Sequence, residues 1–220
     1  MDSFVTQDKM NTLVYELLSA ETWKAKIFPL IKKEVSQIST IKSYMCMYHE
    51  AAIVNLLEVM LYHRTACESS EDALVELIDY CYRKFVEVEN NSQFYLKQQE
   101  GMKPDDPKAY LNMDSVKELE KNARDIEFSC AMICFSLIRF ITDHLKDLSV
   151  PIVHQLMENN DIPCILVPLL ELKPWIRKNA KGEKEKFEDQ QWKVIPKNEE
   201  TKLPKIEAQI WLTIYNMFIS

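Results

Sequence analysis

One apolar helical pattern occurs twice in this chain and constrains its fold more than any other feature. The first copy runs from Met10 to Trp23 and the second from Ile162 to Trp175. Each copy spaces its apolar residues along one helix face and places a tryptophan five residues after its last leucine. Repeated helices of this kind cannot bury their apolar faces alone and pack against neighbouring repeats. The pattern therefore predicts an all-α stack of helices that works as a scaffold.

A second helix recurs together with the first. The segment from Glu207 to Met217 repeats the apolar spacing of the segment from Glu50 to Met60. We therefore expect the repeated unit to contain two helices. Because the sequence stops one residue after an apolar run, we also expect residues 1–220 to form one helical domain cut from a longer array.

Periodicity and capping residues predict the individual elements. Helices are expected over residues 8–18, 22–33, 43–62, 71–89, 114–145, 150–158, 161–173 and 205–219. Two polar insertions are expected over about 90–113 and 176–202, and residues 192–195 could form an isolated strand or hairpin. Apolar side chains cover so much of the helix over 43–62 that we expect this helix to be buried on two sides. Its main stripe consists of Met45, Tyr48, Ala52, Leu56 and Val59.

The scarcity of glycine excludes several classes of enzyme. The chain contains 2 glycines, so it has neither of the glycine-rich loops that bind phosphates in nucleotide enzymes. It also lacks a G-x-S-x-G turn for a nucleophilic serine. We predict that the chain is not an enzyme, with a hydrolase of unrecognised type as the alternative. A net charge of -7 predicts no binding to nucleic acid.

No metal, cofactor or membrane span is predicted. The pairs Cys46/His49 and His63/Cys67 have helical spacing, but along one helix they lie too far apart to share an ion. The 6 cysteines lie in or at the ends of apolar helical segments, and no secretory signal opens the chain, so we expect reduced thiols in a cytoplasmic protein. The longest apolar stretch, residues 128–141, is too short to cross a bilayer.

Aromatic and polar helix residues are the candidates for protein binding. Trp23 and Trp175 are predicted to pack as wedges between stacked helices. Trp192, in a charged segment, is a candidate contact residue. Ordinary solvated helix faces are the alternative for the charged residues among the remaining candidates. The candidates for a binding groove are Tyr15, Glu16, Glu76, Asp79, Tyr80 and Arg83.

Two segments resemble parts of an armadillo repeat. Residues 160–170 (NDIPCILVPLL) are similar to the third helix of such a repeat, and residues 209–217 (QIWLTIYNM) to the helix that follows it. The resemblance implies an armadillo-like or HEAT-like right-handed helical solenoid. Solenoids of this type bind extended peptides or whole domains along a concave face.

Four further segments carry a second resemblance. They are residues 49–58 (HEAAIVNLLE), 67–72 (CESSED), 79–84 (DYCYRK) and 139–143 (RFITD). Together they resemble a family of MYND zinc-finger proteins that act in the pre-assembly of axonemal dynein arms. The resemblance implies an adaptor that links dynein chains to a leucine-rich-repeat assembly factor and to the Hsp90-type chaperone system. It implies a location in the cytoplasm, with centriolar satellites and the apical region as further sites.

The zinc of this family is expected only in a C-terminal MYND finger. The Cys and His cluster of such a finger does not occur in these 220 residues, so we expect no zinc in this chain. The alternative to an adaptor is a purely structural helical spacer that supports the finger.

Overall fold

The computed structural model describes residues 9–38, 40–101, 115–179 and 181–219 of the chain. Nine α-helices lie in these ranges. They are α1 (Lys9–Lys26), α2 (Phe28–Gln37), α3 (Thr40–Leu61), α4 (Arg64–Glu68), α5 (Glu71–Gly101), α6 (Ser115–Asp143), α7 (Val150–His154), α8 (Ile162–Leu172) and α9 (Lys205–Ile219). A π-helical turn, Gln155–Asn159, extends α7. The strands are β1 (Ile176–Lys178), β2 (Lys184–Glu188) and β3 (Gln191–Val194).

Helix α6 lies at the centre of the packing. Helices α2, α3, α5 and α9 all contact it. Its second half is apolar at nearly every position, so it can be buried on all sides. The ring of Phe135 in α6 stacks on Phe85 of α5, with 4.5 Å between the ring centroids. Phe135 also meets Trp175 edge to face, at 5.5 Å. These aromatic contacts join the first and second halves of the chain in one core.

The strands form a small antiparallel sheet in the order β1-β2-β3. Its aromatic residues pack on Phe128 of α6. The ring centroid of Phe187 lies 5.0 Å from that of Phe128, and the ring of Trp192 stacks on Phe128 at 5.7 Å. The sequence predicts an isolated strand or hairpin over 192–195, whereas the structure has a three-stranded sheet that includes residues 191–194. The fold is therefore mostly helical rather than purely helical.

Two predicted boundaries near the N-terminus are wrong. Helix α1 continues without a break through Thr22, where a new helix is predicted to begin. Within the predicted helix over 22–33, the structure has a break at Ile27, and Pro29 lies in the first turn of α2, where its missing N–H costs little. Helix α3 begins at Thr40 rather than at Ser43. Ser43 lies inside that helix, and its hydroxyl donates to the Val35 carbonyl at 2.7 Å.

The first predicted insertion is partly helical. Helix α5 runs on to Gly101, so the prediction of an irregular insertion is wrong for residues 90–101. The physical reason is local, since residues 90–100 contain neither proline nor glycine to end the helix. Residues 102–113 lie outside the described residues.

Several predictions for the second half are confirmed. Helix α9 has the predicted bounds. Asp161 is the N-cap of α8, and its carboxylate accepts a hydrogen bond from the Cys164 N–H at 3.4 Å. Pro163 lies in the first turn of the same helix. The structure is mostly helical, which is consistent with the predicted all-α class.

Candidate protein-binding site

Helix α3 exposes a continuous apolar face. Ile41, Met45 and Val59 are 74%, 66% and 67% exposed, and Ala52 is exposed between them. From Tyr44 to the end of α3, none of the exposed residues is Asp, Glu, Lys or Arg. The opposite face packs on α1 and α6. The prediction that this helix is buried on two sides is therefore wrong, because no described element covers the Met45–Ala52–Val59 side.

An open cavity of about 490 Å³ borders this face between α1 and α3. Its lining is mainly apolar and includes Trp23 of α1 and Met45 and Met47 of α3. Lys24 and Glu50, both buried, line it as well. A cavity of this size and polarity can accept an apolar side chain.

Helix α9 exposes a second apolar face. It packs on α6, with Ile206 and Ile210 buried. Away from that contact, Trp211, Leu212 and Tyr215 are 54%, 42% and 55% exposed. Helices α3 and α9 therefore both pack on α6, and each exposes a second apolar face to solvent.

Beneath the α3 face, a cluster of charged residues is buried between four helices. The ammonium of Lys24 in α1 lies 2.6 Å from Glu50 Oε2 and 2.7 Å from Glu127 Oε1. The ammonium of Lys84 in α5 lies 2.8 Å from Glu50 Oε1 and 2.6 Å from Glu127 Oε2. Glu50 belongs to α3 and Glu127 to α6. Each lysine thus bridges the same two carboxylates, and the ring of ion pairs ties α1, α3, α5 and α6 together.

The electrostatics of this cluster hold Glu50, Lys24 and Lys84 in their charged forms. Burial would raise the pKa of the Glu50 carboxyl, but Lys84 and Lys24 outweigh burial and lower it. Burial would likewise lower the pKa values of Lys24 and Lys84, yet the carboxylates of Glu127 and Glu50 raise both. A catalytic lysine or general acid needs shifts in the opposite directions. The cluster is therefore a crosslink between helices, and its titration does not favour acid–base chemistry.

The second copy of the repeated unit contains a related ion pair. Glu207 of α9, at the position equivalent to Glu50 in the repeated spacing, is also buried. Its Oε2 lies 2.9 Å from the ammonium of Lys173, and its Oε1 accepts a hydrogen bond from the Trp175 indole N–H at 3.2 Å. In the first copy, Lys24 follows Trp23 directly and pairs with Glu50 of α3. In the second copy, Lys173 lies two residues before Trp175 and pairs with Glu207 of α9.

The patterned tryptophans differ in their surroundings. Trp175 is fully buried, as predicted for a wedge, but it lies just beyond the end of α8. Trp23 lies within α1, is partly buried, and contacts Phe28 with 6.2 Å between the ring centroids. The predicted wedge is therefore fully buried in the second copy and half-buried in the first.

The predicted groove residues do not form one surface patch. Tyr15 and Glu16 are exposed on α1, and Glu76 is exposed on α5. The guanidinium of Arg83 pairs with Asp79 on its own helix and donates to both carboxylate oxygens of Glu21 in α1, at 3.1 and 2.7 Å. Arg83 and Asp79 therefore already hold α5 against α1, and their binding to a partner stays a prediction.

Two of the predicted contact residues are engaged inside the protein. Tyr80 is fully buried, and its hydroxyl donates to Glu50 Oε1 at 2.7 Å. Burial and the Glu50 carboxylate raise the pKa of Tyr80 well above its usual value. Trp192 lies in a strand, where Phe128 covers one part of its ring and the Arg177 guanidinium lies 4.1 Å from the ring centroid. Tyr80 is therefore removed from the candidate surface, and Trp192 is half-covered.

The described parts of the chain contain no metal cluster, since no three His, Cys, Asp or Glu residues are grouped to hold an ion. Within the same residues, no helix combines the length and apolar content that a bilayer crossing requires. Burial raises the pKa of Cys67 and of Cys130 to about 12, which keeps both thiols protonated and unreactive.

Sequence reasoning missed both the ionic cluster and the exposed α3 face. The sequence did contain a signal for the cluster. Residues seven positions apart lie on the same helix face, so Lys24 lies on the face of Leu17 and Glu50 on the face of Leu57. Both leucines are buried, and both charged residues therefore belong to apolar faces. No comparable signal existed for the α3 face. An apolar stripe has the same sequence pattern whether its own chain or another molecule covers it.

The sequence matches that of a known protein along nearly its whole length. No family model and no solved structure matches the chain. The chain is 30% identical over 217 residues to the zinc finger MYND domain-containing protein 10 homolog of Drosophila melanogaster. The match covers 98% of this chain and 46% of that relative, so the chain spans less than half of the relative's length. This match supports the relationship to the zinc finger MYND domain-containing protein 10 family that the sequence segments predict.

Proposed function

We propose that this chain is a protein-binding adaptor in the cytoplasmic pre-assembly of axonemal dynein arms. In this role it links dynein chains to a leucine-rich-repeat assembly factor and to the Hsp90-type chaperone system. The observation that carries the proposal is the pair of exposed apolar faces on α3 and α9, mounted on the shared helix α6. Exposed apolar patches of this kind mark protein-interaction surfaces, and an adaptor requires more than one.

The assignment to dynein arm assembly rests on the family relationship. The Drosophila relative is named for a zinc finger MYND domain, and the resemblance of the sequence segments implies the partners. An armadillo-like or HEAT-like right-handed solenoid belongs to the same proposal. It is supported by the recurring two-helix unit, whose buried glutamates Glu50 and Glu207 both pair with a lysine.

The test is a binding experiment with purified components. The chain is incubated with fragments of dynein chains, the leucine-rich-repeat factor and the Hsp90-type chaperone system, and bound protein is measured. We expect Leu212→Glu on α9 to abolish binding of at least one of these proteins. The matched control is Leu30→Glu on α2, because Leu30 is 78% exposed and lies outside both faces. If the unaltered chain binds none of these proteins, the adaptor role fails and a structural spacer is the better description.

A further inference from the structure

We propose that the exposed face of α3 pairs two copies of this chain, with the helices antiparallel and a two-fold axis at Ala52. This inference goes beyond the adaptor role, since it concerns self-association through one face. A dimer joined through α3 still exposes one α9 face on each copy, so it retains two surfaces for the assembly partners.

The spacing of residues on the outward side of α3 fits a helix-to-helix seam. Met45, Tyr48, Ala52, Leu56 and Val59 follow one another at steps of three and four residues, which is the spacing of coiled-coil contacts. Tyr48 is partly buried, and the other four are exposed. Helix α3 has 22 residues and is therefore about 33 Å long. A second helix of the same length can pack along the whole seam.

The distribution of charge favours this face over other surfaces as the place where two copies meet. Two copies of a chain with a net charge of -7 repel each other. From Tyr44 to the end of α3, the exposed face carries no Asp, Glu, Lys or Arg side chain. Closing two such faces on each other therefore buries apolar area without burying an unpaired charge. A face without charges also has no side chain that could form an ion pair with a charged partner.

The seam is complementary to itself when the helices run antiparallel. A two-fold axis at Ala52 places Met45 of one copy opposite Val59 of the other and Tyr48 opposite Leu56. The smallest side chain then lies at the centre, where the two helices approach most closely. Larger side chains lie on both sides of it, as an interface between identical surfaces requires.

The cavity beside α3 strengthens the antiparallel arrangement. It lies next to the first half of α3, at Met45 and His49, whereas the second half carries the protruding apolar residues Leu56 and Val59. An antiparallel pairing brings Leu56 and Val59 of each copy opposite the half of α3 that borders the cavity of the other copy.

The first experiment measures the mass of the chain in solution by sedimentation equilibrium over a wide concentration range. We expect a monomer–dimer equilibrium. Ala52→Arg should raise the dimer dissociation constant by about a hundredfold or more, because two arginines meet at the axis and like charges in an interface cost several kcal/mol. The matched control is Ala25→Arg, at an exposed alanine of α1 outside the seam, which should leave the dimer intact. Circular dichroism shows whether each variant is folded.

The second experiment tests the orientation by disulfide formation in a background of Cys46→Ser and Cys164→Ser, which removes the exposed cysteines of the described residues. Chains with Met45→Cys are mixed with chains that carry Val59→Cys. The antiparallel seam predicts disulfides between the two kinds of chain in preference to disulfides within either kind.

A chain that stays monomeric at its highest soluble concentration would overturn the proposal. A dimer that survives Ala52→Arg, or one that joins Met45→Cys to itself, would also overturn it. If the monomeric chain still binds the proposed assembly partners, the inference about α3 fails while the adaptor role stands.

Discussion

The two faces of α3 reverse the usual distribution of charge in a protein. The inward face carries Glu50, which is 1% exposed and paired with two lysines, whereas the outward face carries Met45 and Val59, which are both about two-thirds exposed. Buried ion pairs contribute little net stability compared with apolar packing, but they are costly to break and can specify how elements align. Exposed apolar stripes cost solubility and are retained where another surface covers them. The inward face therefore fixes the position of the helix, and the outward face is available for binding.

The largest expected effect comes from removing one charge on the inward side. Glu50→Gln leaves the ammoniums of Lys24 and Lys84 with Glu127 as their shared carboxylate. Removing one member of a buried ionic group typically costs about 3–5 kcal/mol of unfolding free energy. Urea denaturation measures this loss.

Glu120→Gln is the control for that experiment. Glu120 pairs with Lys32 near the surface, at 2.6 Å, and its loss should have a much smaller effect. If the two variants were equally stable, the ring of buried ion pairs would not hold the four helices together.

The patterned tryptophans allow a second comparison of inside and outside. Trp175→Ala should lower the free energy of unfolding by about 3–5 kcal/mol, because the ring is fully buried and its loss leaves a cavity. Trp23→Ala should lower this free energy clearly less, since Trp23 is only partly buried. Thermal or chemical denaturation of both variants checks the order, and equal losses would contradict the difference in burial.

The pH dependence of stability tests the charge state of Glu50. Because the folded pKa of Glu50 is lowered from 4.5, its stabilising contribution is complete above about pH 4.5 and is lost as the pH falls through the folded pKa. The contributions of Lys24 and Lys84, whose pKa values are raised from 10.5, are complete below that value and are lost only at higher pH. Below pH 4.5, the stability of Glu50→Gln should therefore decrease less steeply than that of the unaltered chain.

The lowering of the Glu50 pKa sets how much more stability the unaltered chain loses at low pH than Glu50→Gln does. This extra loss should amount to roughly 1.4 kcal/mol for each pH unit by which the folded pKa is lowered. Glu87, whose pKa is raised chiefly by burial, contributes with the opposite sign but is present in both proteins, so the comparison removes it to first order. Identical acid profiles for the two proteins would show that Glu50 is not stabilised as a carboxylate.

The smallest effect on stability is expected at the outward face. Val59→Ser should change the unfolding free energy of the dilute, monomeric chain by no more than about 0.5 kcal/mol. Val54→Ser, in the same helix, should cost clearly more, because Val54 is fully buried and the new hydroxyl is placed in the core. A large loss for Val59→Ser in the monomer would mean that this face is covered by its own chain.

Most of the helices could be predicted from sequence because their causes are local. Apolar periodicity places α5, α6 and α9 near their true positions, and Asp161 with Pro163 marks the start of α8. The errors also have local causes. The boundary predicted near Thr22 does not exist, and the lack of helix breakers after Asn90 carries α5 further than predicted. Helix ends are less certain than helix interiors, since few interactions separate one possible end from the next.

The candidate site was less predictable than the fold. Tyr80 and Glu76 belong to the same helix, yet the structure buries the first against Glu50 and exposes the second. Trp192 lies in a charged segment, but the sheet holds its ring against Phe128 of α6. In both cases the partner is distant in sequence, so local composition carries no information about the contact.

Local sequence is sufficient for the mostly helical class and for the similarity to the zinc-finger relative, because these depend on spacing and residue identity along the chain. It is not sufficient to place Lys24, Glu50, Lys84 and Glu127 in one buried ring or to leave one side of α3 uncovered. Those features arise from four helices meeting in space. An apolar stripe requires a cover, but the folded arrangement of the whole chain determines whether its own helices supply that cover or another molecule must.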